Sequence, residues 1–519
     1  MPSDSPAVHR TLYMSAETGR ELAERPAAAF LIGGYDGCGN YGDIAQLEAA
    51  LQLLADLGDG AFALPLVDLR YLESHRRRSL APTPNFDPAR VLAFSLGGAD
   101  STEAAANLGF VPASLPEEIS RTVTYLYGGG YLNSRWASRM LMMIEAVEAL
   151  AARAGVAQHE MISSGLQIEP RWALGLGPEA KGLLAGLRQV GVRDEHSAQA
   201  AIHFTDGERT PAVLRSGDDA VGVLESLVEA ASSPRPISSD LVLNLHLCSH
   251  AWVTDDAERL LSWLQAFILA LAECSDRRLR LQPVIAYEDD RISERPTLER
   301  FLPGLVARDA AAPPIVLARP EAAETASTLA AAELTVATSY HVALSSLLAG
   351  IPAILVCEND YYSQKAQGLA RDFALPPALF PSPGLEPREA ASAVLRALAD
   401  ADGPLRRESL TERAREVLSR RRAAESELRR ELHQVLGAWP ASEPSERKPS
   451  VAAEDRDVLL ASLDWAHARI EWYEENRALQ EQHFRDLTQT VSWRLTAPIR
   501  AVKNQVASRA HGRFRGRRK

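Results

Sequence analysis

The sequence predicts an α/β protein of two wound domains, each a parallel sheet covered by helices, facing each other across a cleft and followed by a C-terminal helix and a basic tail. Three observations predict this. Short apolar runs alternate with stretches of helical spacing. The alternation restarts after Ser232, Ser233, Pro234, Arg235 and Pro236, a composition suited to a linker. A chain of 519 residues, 46% hydrophobic and 24% charged, is ordinary globular material for two large domains and an extra segment. The expected boundaries are an N-terminal extension at 1–26, a first domain at 27–231, a second at 237–438, a linker at 439–453, a helix at 454–491 and the tail at 492–519.

Taken in order, Ala27 to Ile32 is a short apolar strand running into the glycine-rich segment Gly33 to Asp43, after which helical spacing begins at Ile44, Leu47, Ala50 and Leu51. Further apolar runs follow at Val91 to Leu96, Thr122 to Tyr127 and Met161 to Ile162, with a helical stretch at Ser138 to Ala154. In the second domain the strands are Leu241 to Leu247, Leu281 to Ala286, Ile315 to Leu317, Leu334 to Ala337 and Ala353 to Cys357. Beyond the linker, Leu463, Ile470, Arg477, Phe484 and Val491 recur every seven residues with Ala466, Tyr473, Gln480 and Leu487 interleaved. That seam fits either a coiled coil, and so a homo-oligomer, or an amphipathic helix folded back on the body.

In open α/β sheets ligands bind beyond the carboxyl ends of the strands, so the residues directly after each strand carry the candidate chemistry. The turn Gly33 to Asp43 lacks the lysine of a P-loop and the spacing of GxGxxG. The helix start that follows it still offers unpaired amides to an anion. Asp43 is there either as the helix N-cap or to orient or deprotonate a hydroxyl. Gly128, Gly129 and Gly130 follow another strand and let a ligand approach the backbone closely. Arg193 ends a strand and presents a planar fork suited to carboxylate or phosphate, or else pairs with Asp194 or Glu195. Gly217, Asp218 and Asp219 form a later acidic turn with the same two readings. The sharpest element is Thr338, Ser339, Tyr340 and His341, where a strand ends in polar residues and a histidine opens an apolar helix. There the helix dipole and an anionic ligand act oppositely on its proton.

These elements together resemble the polysaccharide pyruvyl transferases. The resemblance rests on the strand and Gly34-to-Asp43 segment, the Gly128 turn, the Gly165 turn, Val192 to Ser197, Asp219, the His341 helix with Gly350, Ile351 and Pro352, and Tyr361, Tyr362, Lys365, Gly368 and Leu369. It spans Ala27 to Leu375 and implies Rossmann-like domains in a GT-B-like pair. It also implies transfer of pyruvate from phosphoenolpyruvate, the donor substrate, to two hydroxyls of one sugar as a cyclic ketal, with no metal or cofactor demanded. By the resemblance His341 is the acid, and Arg193 and Lys365, with Thr338 and Ser339 beside them, hold the donor. Asn40, Gly39, Asp43, Gly129 and Gly130 belong to the acceptor side. The chain departs from the family at Ser339, which stands where an arginine two residues before the histidine is usual.

Other classes are excluded or kept by composition. No run approaches the roughly 18 apolar residues of a spanning helix; Leu260 to Cys274 stops short and contains Gln265 and Glu273. The first residues lack the pattern of a signal peptide, which points to the cytoplasm. Cys38, Cys248, Cys274 and Cys357 show no CxxC pairing, so reduced thiols are expected rather than disulfides or zinc. Arg494 to Lys519 holds nine Lys and Arg and no acid; without them the net −12 becomes −21 on the preceding 493 residues. With Trp493, Leu495, Ile499 and Phe514, that tail suits the anionic inner face of a membrane; no fold that reads nucleic acid accompanies it. The segment Val491 to Arg500 also resembles an ending found on bacterial glycosyltransferases and surface-polysaccharide enzymes, which fits a saccharide or lipid-linked saccharide acceptor. Two other readings stay open: a GT-B glycosyltransferase using a sugar nucleotide, and a non-catalytic relative that binds a glycan or a partner.

Overall fold

A computed structural model describes residues 12–436 apart from 25–26, 36–39, 56–60, 67–68, 79–90, 96–101, 114–122, 135, 154–159, 205–210, 231–239, 247–256, 275–279, 288–292, 303–314, 317–322, 357–359 and 401–402. The expected linkers, heptad helix and basic tail, Gly39, and Cys38, Cys248 and Cys357 lie outside the described residues. All the described residues belong to one compact unit.

The first lobe is an eleven-stranded sheet. In chain order its strands are β1 (Leu12–Met14), β2 (Ala27–Ile32), β3 (Ala61–Leu66), β4 (Val91–Ser95), β5 (Val111–Ala113), β6 (Val123–Leu126), β7 (Gly129–Leu132), β8 (Met161–Ser163), β9 (Leu166–Ile168), β10 (Leu187–Val192) and β11 (Ala212–Arg215). Spatially they run β5-β1-β4-β3-β2-β6-β8-β10-β9-β7, with β11 against β10. All pairs are parallel except those of β1, which runs antiparallel to both β4 and β5. The expected extension 1–26 thus supplies a strand of the sheet, β1, held between β4 and the edge strand β5, and Tyr13 and Met14 are fully buried. β3, with the sequence AFALPL, contains Pro65, which removes a ladder donor and masks a strand in the sequence.

The second lobe is a five-stranded parallel sheet of β12 (Asp240–Asn244), β13 (Arg280–Ile285), β14 (Ile315–Val316), β15 (Leu334–Ala337) and β16 (Ala353–Leu355), in the order β14-β13-β12-β15-β16. Parallel strands with helical crossovers leave both faces covered, which is why Val336, Ala337, Ile354 and Leu355 are all buried. The two-lobed α/β architecture and its GT-B-like pairing of wound sheets follow the sequence expectation.

Two helices tie the lobes together. Tyr41–Ala55 follows β2 but places Tyr41, Ala45 and Ala49 in the second lobe's apolar cluster. Its first residues also hydrogen-bond across: Tyr41 N donates to Ala286 O at 2.8 Å, and Asn40 bridges Tyr287. The last helix, Arg407–Leu436, is thirty residues long and so about 45 Å from end to end. Leu410, Ala414, Val417 and Leu418 pack in the second-lobe core, whereas Leu428 and Leu432 pack in the first.

Candidate active site

The strand ends of both sheets converge on a cavity between the lobes that holds about 910 Å³, open mouth included. From the first lobe it is lined by Gly33, Gly34, Asn40, Asp43, Gly129, Gly130, Tyr131 and Arg193, and from the second by His246, Tyr287, His341, Tyr361 and Lys365. Its size suits a small ligand with room for part of a second.

His341 is the second residue of the helix Tyr340–Leu348, set by β15 directly before it. Its ring lies on the backbone of Gly42, so closely that a Cβ there would overlap the imidazole. Nε2 stands 3.6 Å from Asp218 Oδ2 and has no hydrogen-bond partner among the described residues. Asp218 is buried, and burial alone would favour its neutral form. The His341 imidazole and then the Arg193 guanidinium outweigh that and hold the carboxyl well below the usual carboxylate range. Arg193 Nη1 donates to Asp218 Oδ2 at 2.9 Å, Nη2 donates to Gln167 Oε1, and the guanidinium lies 4.6 Å from the Tyr340 ring centre. The sequence offered Asp194 or Glu195 as its ion-pair partner; the structure corrects this to Asp218. Asp194 instead accepts the N–H of Ser197 at 2.8 Å, at the start of the next helix.

Lys365, on the helix Asp360–Phe373, sits over two aromatic faces, its Nζ 4.4 Å from the ring centre of Tyr361 and 5.0 Å from that of Tyr362. Burial, with the Arg193 charge adding to it, pushes the ammonium down to about 7 against the pull of Asp43 and Asp218. Tyr361 donates its hydroxyl to Gly130 O at 2.7 Å and so fastens the glycine segment to the second lobe.

Gly129 and Gly130, expected in a turn, begin the short strand β7; Gly129 adopts φ +132°, which L residues with side chains rarely reach. The preceding Gly128 donates its N–H to Asp219 Oδ2 at 2.6 Å. Asp219 also accepts from Ser164 and, at 2.5 Å, from Arg421 of the last helix. Asn40 is the residue that caps Tyr41–Ala55, its Oδ1 accepting from Gly42 N at 3.0 Å and Asp43 N at 3.4 Å. That corrects the N-cap reading of Asp43, which stands in the first turn and lines the cavity.

Of the residues expected at the site, the cavity brings together His341, Asp43, Asn40, Arg193, Lys365, Gly129 and Gly130. Thr338 and Ser339 do not line it. Thr338 is buried, and its hydroxyl accepts the N–H of His246 at 2.6 Å, while Ser339 donates its own N–H to Asn244 Oδ1 at 3.1 Å. Sequence reasoning missed His246, Tyr287 and Tyr131. His246 was hidden because the apolar alternation of Leu245 and Leu247 extended the expected strand through it, whereas β12 stops at Asn244. Stopping that strand earlier would have exposed His246 to the same strand-end rule that found His341.

Among the described residues, no group of three or more His, Cys, Asp or Glu could hold a metal ion, and no helix is long and apolar enough to cross a membrane.

A family model described as polysaccharide pyruvyl transferase matches residues 40–361, from the cap of the first crossing helix to the tyrosine over the glycine segment. No curated protein matches the chain. Similar solved structures include Phytolacca americana UGT2 complexed with UDP-2fluoro-glucose and pterostilbene, at 12% identity, covering 79% of this chain and 100% of that one, with a TM-score of 0.44. An alpha,alpha-trehalose-phosphate synthase (UDP-forming) from Burkholderia vietnamiensis is 13% identical over 80% of this chain and 100% of its own, with a TM-score of 0.41.

Proposed function

The chain belongs to the polysaccharide pyruvyl transferase family, and we propose that its interlobe cavity moves pyruvate from phosphoenolpyruvate onto two hydroxyls of a saccharide, forming a cyclic ketal and releasing phosphate. The observation that carries this reading is His341 at a helix start, its Nε2 3.6 Å from the buried carboxylate of Asp218, in a cavity that also holds Lys365. The reaction needs a proton for the donor's methylene carbon. An imidazolium stabilised by a buried carboxylate is a suitable source. As that C–H bond forms, C2 becomes electrophilic, a saccharide oxygen bonds to it, and the C2–O bond to phosphorus breaks with its electron pair leaving on phosphate. The second hydroxyl then closes the ketal.

The donor is an anion at both ends. Lys365 and the amides at the start of the His341 helix supply charge and dipole for it, in place of the arginine usual at Ser339. Arg193 contributes from behind, since its terminal nitrogens are committed to Asp218 and Gln167. Asn40, Asp43 and the Gly129–Gly130 backbone face the acceptor, which we take to be a saccharide or lipid-linked saccharide at the inner face of a membrane.

Calorimetry of phosphoenolpyruvate against a panel of sugar nucleotides, with phosphate release, tests the reading. Phosphoenolpyruvate should bind and sugar nucleotides should not. His341→Gln should bind the donor and lose turnover. Retention of more than about a tenth of the rate, roughly 1.4 kcal/mol of barrier, would mean that another group is the acid. Sugar-nucleotide binding without phosphoenolpyruvate binding would instead favour a glycosyltransferase.

A further inference from the structure

The cavity contains a second histidine with a buried carboxylate behind it, and no reading above assigns it a role. His246 follows β12 and lines the cavity wall beside Tyr287, their ring centres 5.4 Å apart. Its Nδ1 lies 2.7 Å from Oε1 of Glu294, a residue with no exposed surface. The other carboxylate oxygen of Glu294 accepts from Asn244 Nδ2 at 3.0 Å and from Ala286 N at 2.7 Å. With one oxygen of Glu294 already accepting two N–H bonds, the other is placed to accept from the ring, which puts the proton on Nδ1. In the neutral imidazole this leaves the lone pair on Nε2. The backbone holds the same arrangement: His246 N donates to Thr338 Oγ1, and Ser339 N to Asn244 Oδ1. The ends of β12 and β15 are thereby fastened to each other, and with them the two histidines.

His341 has the buried carboxylate of Asp218 3.6 Å from its Nε2, whereas Glu294 fixes His246 in the tautomer that accepts a proton at Nε2. Ring atoms with opposite tasks in one cavity are what the transfer requires. We propose that His246 is the general base that deprotonates the acceptor hydroxyl, with Glu294 as its positioning residue; this rests on the pyruvyl-transfer reading. As the acceptor oxygen bonds to C2 of the donor, its proton passes to His246 Nε2, and His341 gives a different proton to C3. The departing phosphate takes the proton from His246. The second hydroxyl proton follows the same route to solvent, and solvent restores the proton of His341. Asp43 then orients the acceptor rather than deprotonating it.

Two measurements on the full chain test this. In histidine-selective ¹⁵N spectra at alkaline pH, where imidazoles are neutral, the resonance pair lost in His246→Gln, or in His246→Asn if the first variant folds poorly, should have the Nδ1-protonated pattern, and Glu294→Gln should alter it. In turnover with phosphoenolpyruvate and a panel of p-nitrophenyl hexosides, His246→Gln should bind phosphoenolpyruvate within twofold of wild type while kcat falls about 100-fold or more. Glu294→Gln should lower kcat with little change in KM, and Glu294→Asp should recover part of it. An Nε2-protonated His246, or a His246→Gln enzyme with more than a tenth of wild-type kcat, overturns the assignment while leaving pyruvyl transfer intact. A wild-type chain that binds no phosphoenolpyruvate and releases no phosphate fails at the earlier step, and the base assignment falls with it.

Discussion

Gly42 and His341 form the closest fit in the cavity, and the fit is a consequence of where the first crossing helix begins. Asn40 caps that helix and docks it on Ala286 and Tyr287, so the backbone at Gly42 becomes the surface against which the imidazole rests. Gly42→Ala should therefore displace the ring at an overpacking cost of about 1–3 kcal/mol. Turnover should fall at least tenfold while the circular dichroism spectrum stays that of the wild type; an unchanged rate would mean that the ring's position does not matter. Lys365 makes a different prediction, because burial brings its proton loss to about pH 7. An ammonium binds an anion and an amine does not, so the affinity for phosphoenolpyruvate should fall as pH rises from 7 to 9, and Lys365→Arg should flatten the profile in calorimetric titrations. Single residues were legible in the sequence where they obey a local rule. His341, Arg193 and Asn40 each stand at a strand end or helix start. Asp218 stood in an acidic turn that the sequence could single out, but its proximity to His341 is a contact across 123 positions of chain that no local pattern records.

The glycine segment and the last helix show how elements transmit position. Gly128 reaches Asp219, and Asp219 is gripped by Arg421, whose side chain is 2% exposed. A residue of the last helix therefore holds the glycine segment that enters the cavity. Arg421→Met should leave the Asp219 charge buried without a cation, at a cost of about 3–5 kcal/mol in urea unfolding. Adding Asp219→Asn should recover part of that loss; strictly additive losses would mean that the two side chains act independently. Strands with uninterrupted apolar runs, such as β2, β4, β13 and β15, were readable before any coordinates. The missed ones are instructive. β3 contains a proline, β7 opens on glycines, and β1, β5 and β9 have three residues each, too few for a period to register. The last helix falls within the second domain expected at 237–438, yet its final turns pack in the first lobe's core, through contacts between residues far apart in the chain that no local pattern records.

At the scale of the molecule, the acidic body and basic C-terminus pose a separate question from the chemistry. The nine cations from Arg494 to Lys519 have no acidic neighbour in that stretch. At about 1 kcal/mol each near an anionic bilayer, they should carry the full chain down with phosphatidylserine vesicles, less so as salt is raised. A chain ending at residue 493 should stay in the supernatant; equal sedimentation of both forms would assign the binding elsewhere. The central claim concerns the cavity, where the proposed reaction has His341 give a proton to a three-carbon donor. It is tested most directly by running the reaction in deuterium oxide with phosphoenolpyruvate and the hexoside panel, and reading the product methyl group by NMR. The account predicts a pyruvyl ketal whose methyl carries a single solvent deuterium, formed by the wild type and absent with His341→Gln. A ketal formed equally well by His341→Gln, or glycosyl transfer from a sugar nucleotide with no ketal at all, would contradict it.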